Sequence, residues 1–164
     1  MTQKVLLIGD FHLTGKGDEI PEEFMKAARE SDVILCTGDL VDERILEKLM
    51  DSTEEFHIVR GEEDYLDLPE QDIARIEDLK FGMIHGHQLE SEEGEEIEDL
   101  VEMGELMKVD VLVTGHSHQP FRTEKEGLVL FNPGSATGAD GSGKTCFLLE
   151  VGERSIVDSK ILKG

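Results

Sequence analysis

Four continuous apolar runs stand out along the first two-thirds of the chain: Val5-Leu6-Leu7-Ile8, Val33-Ile34-Leu35-Cys36, Phe81-Gly82-Met83-Ile84 and Val111-Leu112-Val113-Thr114. They lack polar alternation and are rich in branched residues, which predicts short strands buried on both faces, as in parallel sheets. Between them the apolar positions recur at helical spacing. Residues 21–29 read as a helix opened by Pro21 and the acids Glu22 and Glu23, with Phe24, Ala27 and Ala28 as its inner stripe. Residues 44–50 form a second helix with Ile45, Leu46 and Leu49 inward, and residues 97–107 a third with Leu100, Val101, Met103 and Leu106 as core positions. Met25, Met50, Met103 and Met107 fall on these helices as packing residues. Phe56-His57-Ile58-Val59 adds a strand. Further strands are predicted at 121–124, 128–131, 145–151 and 155–162, with Glu126-Gly127 and Gly152-Glu153 as hairpin turns. Parallel units followed by an antiparallel tail predict an α/β fold of two mixed sheets flanked by helices.

At 164 residues the chain is expected to be a single domain over 1–164 with a proper core. It has no apolar run near the ~18 residues that span a membrane. No signal-like segment precedes the first strand, so a cytoplasmic location is expected. Cys36 and Cys146 lie within apolar runs and read as reduced core thiols. The 38 acids against 16 lysines and arginines give a net charge of −22. Such a surface repels nucleic-acid phosphates and anionic lipid, which argues against long polynucleotides as substrates. It also suits a salt-rich medium, where screening relieves self-repulsion. The runs Glu62-Glu63-Asp64 and Glu92-Glu93-Gly94-Glu95-Glu96 carry much of that charge, the second as a solvated loop and helix start.

The chemistry sits where the strands end. Asp10-Phe11-His12, Gly38-Asp39, His85-Gly86-His87 and Gly115-His116-Ser117-His118 each follow one of the four apolar runs. The carboxyl ends of parallel strands open onto a common crevice, so the four segments can converge. Imidazole and carboxylate are ligands shared by Zn, Mn, Fe, Co and Ni. The two-residue spacing of Asp10 with His12, and of His116 with His118, puts each pair on one side of the chain, with Ser117 pointing away. Asp39 is placed to bridge two ions with its two oxygens. Five of the six histidines lie in these segments, and the set reads as a two-metal hydrolase site for phosphate esters. His87 is expected beside the ligands and His57 as a packed or edge-strand histidine. The segment Gly138-Ala139-Asp140-Gly141-Ser142-Gly143-Lys144-Thr145 matches a P-loop pattern. A P-loop requires a helix to follow, whereas Cys146-Phe147-Leu148-Leu149 predicts a strand, so this stretch reads as a hairpin loop.

These motifs, with Arg60-Gly61-Glu62-Glu63-Asp64 and Asn132-Pro133-Gly134-Ser135, resemble the calcineurin-like metallophosphoesterases, closest in order and spacing to the small YfcE-like phosphodiesterase branch. Ile34-Leu35-Cys36-Thr37-Gly38, His57-Ile58-Val59-Arg60-Gly61 and His85-Gly86-His87-Gln88 also resemble the phosphoesterase-fold subunit of the retromer coat. The resemblance implies a four-layer αββα sandwich. It implies two divalent cations, manganese first, with zinc, nickel, cobalt or iron as alternatives. Asp10, His12, Asp39 and His118 would hold one ion; Asp39, Glu62, His85 and His116 would hold the other. Hydrolysis of a small phosphate ester, most naturally a diester, would proceed through a hydroxide shared by the ions. Asp39, His85 and His116 would hold that geometry. Glu62 stands where the family has Asn, adding a negative charge. Glu63 stands where larger relatives often carry a His proton donor, which leaves Glu63 or solvent to protonate the leaving group. The chain would act as a monomer or homodimer. The alternative implied by the retromer likeness is a weakly active or inactive scaffold that binds a protein partner.

Overall fold

The computed structural model describes residues 2–11, 20–40, 43–62, 64, 67–86 and 96–164, apart from the side chains of Glu96 and Asp140. The chain first lays down β1 (Gln3–Ile8), α1 (Glu22–Glu30), β2 (Val33–Cys36), α2 (Glu43–Ser52) and β3 (Glu55–Ile58). It then builds β4 (Gln71–Ile76), β5 (Leu79–Ile84), α3 (Glu96–Met107), β6 (Val111–Val113), β7 (Phe121–Lys125) and β8 (Leu128–Asn132), and finishes with β9 (Thr145–Val151) and β10 (Ile156–Lys163). Two five-stranded mixed sheets result, ordered β10-β9-β1-β2-β3 and β4-β5-β6-β8-β7. β1, β2 and β3 run parallel, as do β5, β6 and β8, while β9, β10, β4 and β7 pair antiparallel.

The period of two along each strand explains why the apolar runs are continuous. Val5, Leu7, Val33 and Leu35 face the interior between the sheets, where they meet Phe81, Met83, Val111, Val113 and Phe131 of the second sheet. The intervening residues Leu6, Ile8, Ile34 and Cys36 face outward, under Phe24, Ala27 and Ala28 of α1 and Ile45 and Leu49 of α2. On the other outer face, Ile84, Leu112 and Leu130 pack under Leu100 and Val101 of α3. The layers are therefore helix, sheet, sheet, helix, as expected. A strand with apolar neighbours on both sides has no position left for a polar residue until it emerges at its end.

Some details differ from the sequence reading. β4 was not anticipated. Its sequence Gln71-Asp72-Ile73-Ala74-Arg75-Ile76 is polar and charged because it is an edge strand, with Ala74 and Ile76 buried and Ile73 exposed. It turns into β5 through Glu77-Asp78, with Glu77 at φ 53°. Leu106, assigned to the core from its spacing, is 71% exposed, and Met50 is 51% exposed. The inner stripe of α3 is set instead by Leu100, Val101 and the buried Gly104, where a side chain would collide with Leu128. The P-loop-like stretch makes a 3-10 turn at Ala139–Gly141 and runs directly into β9, with no helix after it. Both cysteines are buried and unpaired, and burial pushes both thiols well above their usual range.

Candidate metal centre

The carboxyl ends of β1 and β2 in one sheet meet those of β5 and β6 in the other. Asp10, Asp39 and His85 are buried there, and one ligand atom from each lies within 4.8 Å of the others. His85 Nε2 is 2.9 Å from Asp39 Oδ2 and 3.7 Å from Asp10 Oδ1. Its Nδ1 lies 2.7 Å from the Thr37 carbonyl oxygen. A carbonyl can only accept, so Nδ1–H donates and the ring is oriented with Nε2 toward the carboxylates. Burial alone works against the imidazolium. The Asp39 hydrogen bond and the charges of Asp10 and Asp39 outweigh it, and the His85 pKa rises above its ordinary 6.5.

Bringing these groups together strains the backbone. Asp10, Asp39, His116 and His118 have φ of 50°, 54°, 72° and 62°, a left-handed region that costs a non-glycine residue about 1–3 kcal/mol. A dense hydrogen-bond frame holds them. The Asp10 and Phe11 amides donate to the Gly38 and Asp39 carbonyls at 2.9 and 3.0 Å, joining the first two loops. The Gly115 amide donates to the His85 carbonyl at 2.9 Å, and the His116 amide to Asp10 Oδ2 at 3.1 Å. Asn132 Nδ2 donates to the Gly115 carbonyl and to Ser117 Oγ, both at 3.0 Å. Ser135 Oγ donates to the Asp10 carbonyl at 2.6 Å, and Thr137 Oγ1 donates to the Phe11 carbonyl. Close approach also needs glycine. A Cβ on Gly61 would run into Asp39 Oδ1, and one on Gly115 would sit 3.0 Å from Asp10 Oδ2.

Glu62 and His116 form the open rim, their side chains 60% and 49% exposed. Glu62 Oε2 lies 3.6 Å from His116 Nδ1. The His116 and His85 rings meet edge to face with centroids 5.5 Å apart. His118 is half-buried on the same loop as His116. His12, Glu63 and His87 lie outside the described residues, as do the Thr14-Gly15-Lys16-Gly17 stretch and acids Glu92 to Glu95. His57 is half-buried in edge strand β3, its Nδ1 3.0 Å from Asp72 Oδ2 of β4, and so ties the edges of the two sheets together. The sequence reading named Thr37, Asn132 and Asp64 within its motifs but gave them no role: the Thr37 carbonyl orients His85, the Asn132 side chain lies beneath the histidine loop, and Asp64 accepts backbone hydrogen bonds from two loops. Asp64 stands in an acidic run, where composition suggests surface charge and gives no sign of its burial.

The donor set of carboxylate oxygens and an oriented imidazole nitrogen fits a first-row divalent cation. Residues 3–154 match the calcineurin-like phosphoesterase superfamily domain. The chain belongs to this superfamily. It is 37% identical over 136 residues to a probable metallophosphoesterase of Methanocaldococcus jannaschii, an alignment covering 83% of this chain and 69% of the relative. Among solved structures it is similar to wild-type Vps29 complexed with zinc from Entamoeba histolytica, with 29% identity, a TM-score of 0.84 and 98% of each chain covered. It is also similar to Chaetomium thermophilum Vps29 complexed with a RaPID-derived cyclic peptide, with 26% identity, a TM-score of 0.76 and 99% and 96% of the two chains covered. The calcineurin-like phosphoesterases are a metal-dependent superfamily, and Asp10, Asp39 and His85 form a group among the described residues that could hold a cation. No helix among the described residues is long and apolar enough to cross a membrane.

Proposed function

We propose that the protein is a metal-dependent phosphodiesterase acting on a small substrate. The observation that carries this reading is the buried triad of Asp39, Asp10 and His85 with His85 Nε2 turned toward both carboxylates. Asp10, His12, Asp39 and His118 would hold one divalent cation, and Asp39, Glu62, His85 and His116 a second, with manganese the first candidate. Cations bound there would supply Lewis acidity, which activates water at neutral pH and offsets charge on phosphate oxygens. The chain's own residues do the rest. Asp39 would contribute to both positions, and the Thr37 carbonyl orients the His85 ring. His116, on the exposed rim, is within reach of an incoming ester. Protonation of the leaving group falls to Glu63 or to solvent.

The rim also argues for the substrate's charge. Glu62 adds a carboxylate where the superfamily's Asn is neutral, beside a centre already holding Asp10 and Asp39. A phosphomonoester carries up to two negative charges and a diester one, so the acidic rim penalises the monoester more. The test is hydrolysis of bis-p-nitrophenyl phosphate by metal-stripped protein titrated with Mn²⁺. Saturable turnover, exceeding that of p-nitrophenyl phosphate and lost in Asp39→Asn, is expected. Folded protein that stays inactive with Mn²⁺, Zn²⁺, Co²⁺ and Ni²⁺ would rule the enzyme out. That result would favour the second reading, a partner-binding protein of the Vps29 kind, which the acid at position 62 and the likeness to a peptide-bound Vps29 support. Asp39→Asn would then leave partner binding intact.

A further inference from the structure

Asp64 is only 4% exposed, yet it belongs to none of the proposed ligand sets. Both of its carboxylate oxygens face backbone amides. Oδ2 accepts from the Gly61 amide at 2.7 Å and the Asp39 amide at 2.9 Å, and Oδ1 accepts from the Leu40 amide at 2.8 Å. The Asp64 amide in turn donates to the Gly61 carbonyl at 3.3 Å, closing a tight turn. One buried carboxylate thus gathers amides from two separate loops, the one after β2 that carries Asp39 and the one after β3 that carries Glu62.

The arrangement has a specific mechanical effect. Asp39 adopts φ 54°, a conformation it does not favour, and its amide points at Asp64 while its carboxylate points at His85. Charge-assisted hydrogen bonds from carboxylate to amide are roughly twice as strong as neutral ones, enough to hold such a turn. Gly61, whose missing side chain leaves space for Asp39 Oδ1, is secured by the same Asp64 oxygen. A neutral cap would satisfy these amides less well, and a merely surface acid would not be buried at this depth.

We propose that Asp64 is a positioning residue for the metal centre. Its buried carboxylate sets the left-handed turn that aims Asp39 and seats Gly61-Glu62 beside it. This inference rests on the metal-binding reading above.

The experiment compares wild type, Asp64→Asn and Leu49→Ala. Leu49, on the inner stripe of α2, is buried against the outer face of the first sheet, belongs to none of the proposed ligand sets, and controls for lost stability. Mn²⁺ affinity is measured by titration calorimetry on metal-stripped protein, and the visible absorption of the Co²⁺ form reports ligand geometry. Asp64→Asn is expected to weaken Mn²⁺ binding by about 10–100-fold and to change the Co²⁺ spectrum. Leu49→Ala should melt earlier but keep both properties. If kinetics are measurable, kcat falls in Asp64→Asn while KM for the diester changes little. Wild-type affinity and spectrum in Asp64→Asn would overturn the proposal. Should Asp64→Asn fail to fold, Asp64→Glu carries the test: it keeps the charge but moves the carboxylate by one methylene, and unchanged Mn²⁺ affinity in it overturns the proposal equally. Wild-type protein that binds no Mn²⁺, Zn²⁺ or Co²⁺ refutes the metal reading itself, a result distinct from a normal Asp64 variant.

Discussion

His85 faces two carboxylates through the nitrogen that a cation would need, so proton and metal compete for one atom. Its folded pKa lies above the ordinary 6.5 because Asp39 and Asp10 outweigh the cost of burial. The sign follows from linkage. In metal-free protein the imidazolium stabilises the fold fully below the unfolded pKa, and that contribution is lost as pH rises through the raised folded value. Metal binding runs the other way, since the proton must leave. Mn²⁺ affinity should therefore climb as pH rises from 6.5 through that raised value, with proton release visible as a buffer-dependent binding enthalpy. A flat affinity across that range would show that metal binding displaces no proton from His85. At this scale the sequence was most informative for residues whose type is itself the chemistry. Asp10, Asp39 and His85 were legible because acids and histidines directly after buried apolar runs have few structural roles. Asn132 and Asp64 stood in the motifs without a readable role, because their work is to donate to or accept from backbone groups whose positions only the fold reveals.

The elements follow a similar division. Strands buried on both faces announce themselves through unbroken apolar runs, and β1, β2, β5 and β6 lie where those runs are. β4 escaped notice because an edge strand needs apolar residues on one side only, and here it offers just Ala74 and Ile76. Helix spacing located α1, α2 and α3, but it overreached by taking Leu106 and Met50 inward. Each helix lies on one face of a sheet, and the last turns of α2 and α3 carry apolar residues beyond the width of the buried stripe. The difference is measurable by chemical denaturation. Phe24→Ala, at a fully buried position on α1, should cost about 3–5 kcal/mol. Leu106→Ala, at 71% exposure, should stay within about 0.5 kcal/mol of wild type. Comparable losses at both sites would mean that α3 buries more than its exposure indicates.

Across the whole molecule the dominant property is the charge of −22. Self-repulsion of that size weakens a compact state, and it is screened over about 10 Å at 0.1 M salt but about 3 Å at 1 M. The thermal midpoint should rise by several degrees between about 0.1 and 2 M KCl, measured by circular dichroism in metal-free protein. A midpoint insensitive to salt would show that the acids are spaced widely enough to ignore one another. The path of the chain between the sheets has a consequence in time. Residues 71–132 complete the second sheet without help from either end, whereas β1 is flanked by β2 on one side and by β9, from the far end of the chain, on the other. A chain emerging from the ribosome, amino end first, can settle its second sheet while β1 is paired with β2 alone and still lacks β9. Asp10 is locked by Ser135, which follows the last strand of the second sheet in the chain. The frame around Asp10 is thus completed only after the strands of the second sheet have been made, so a chain cut short before Ser135 lacks that brace.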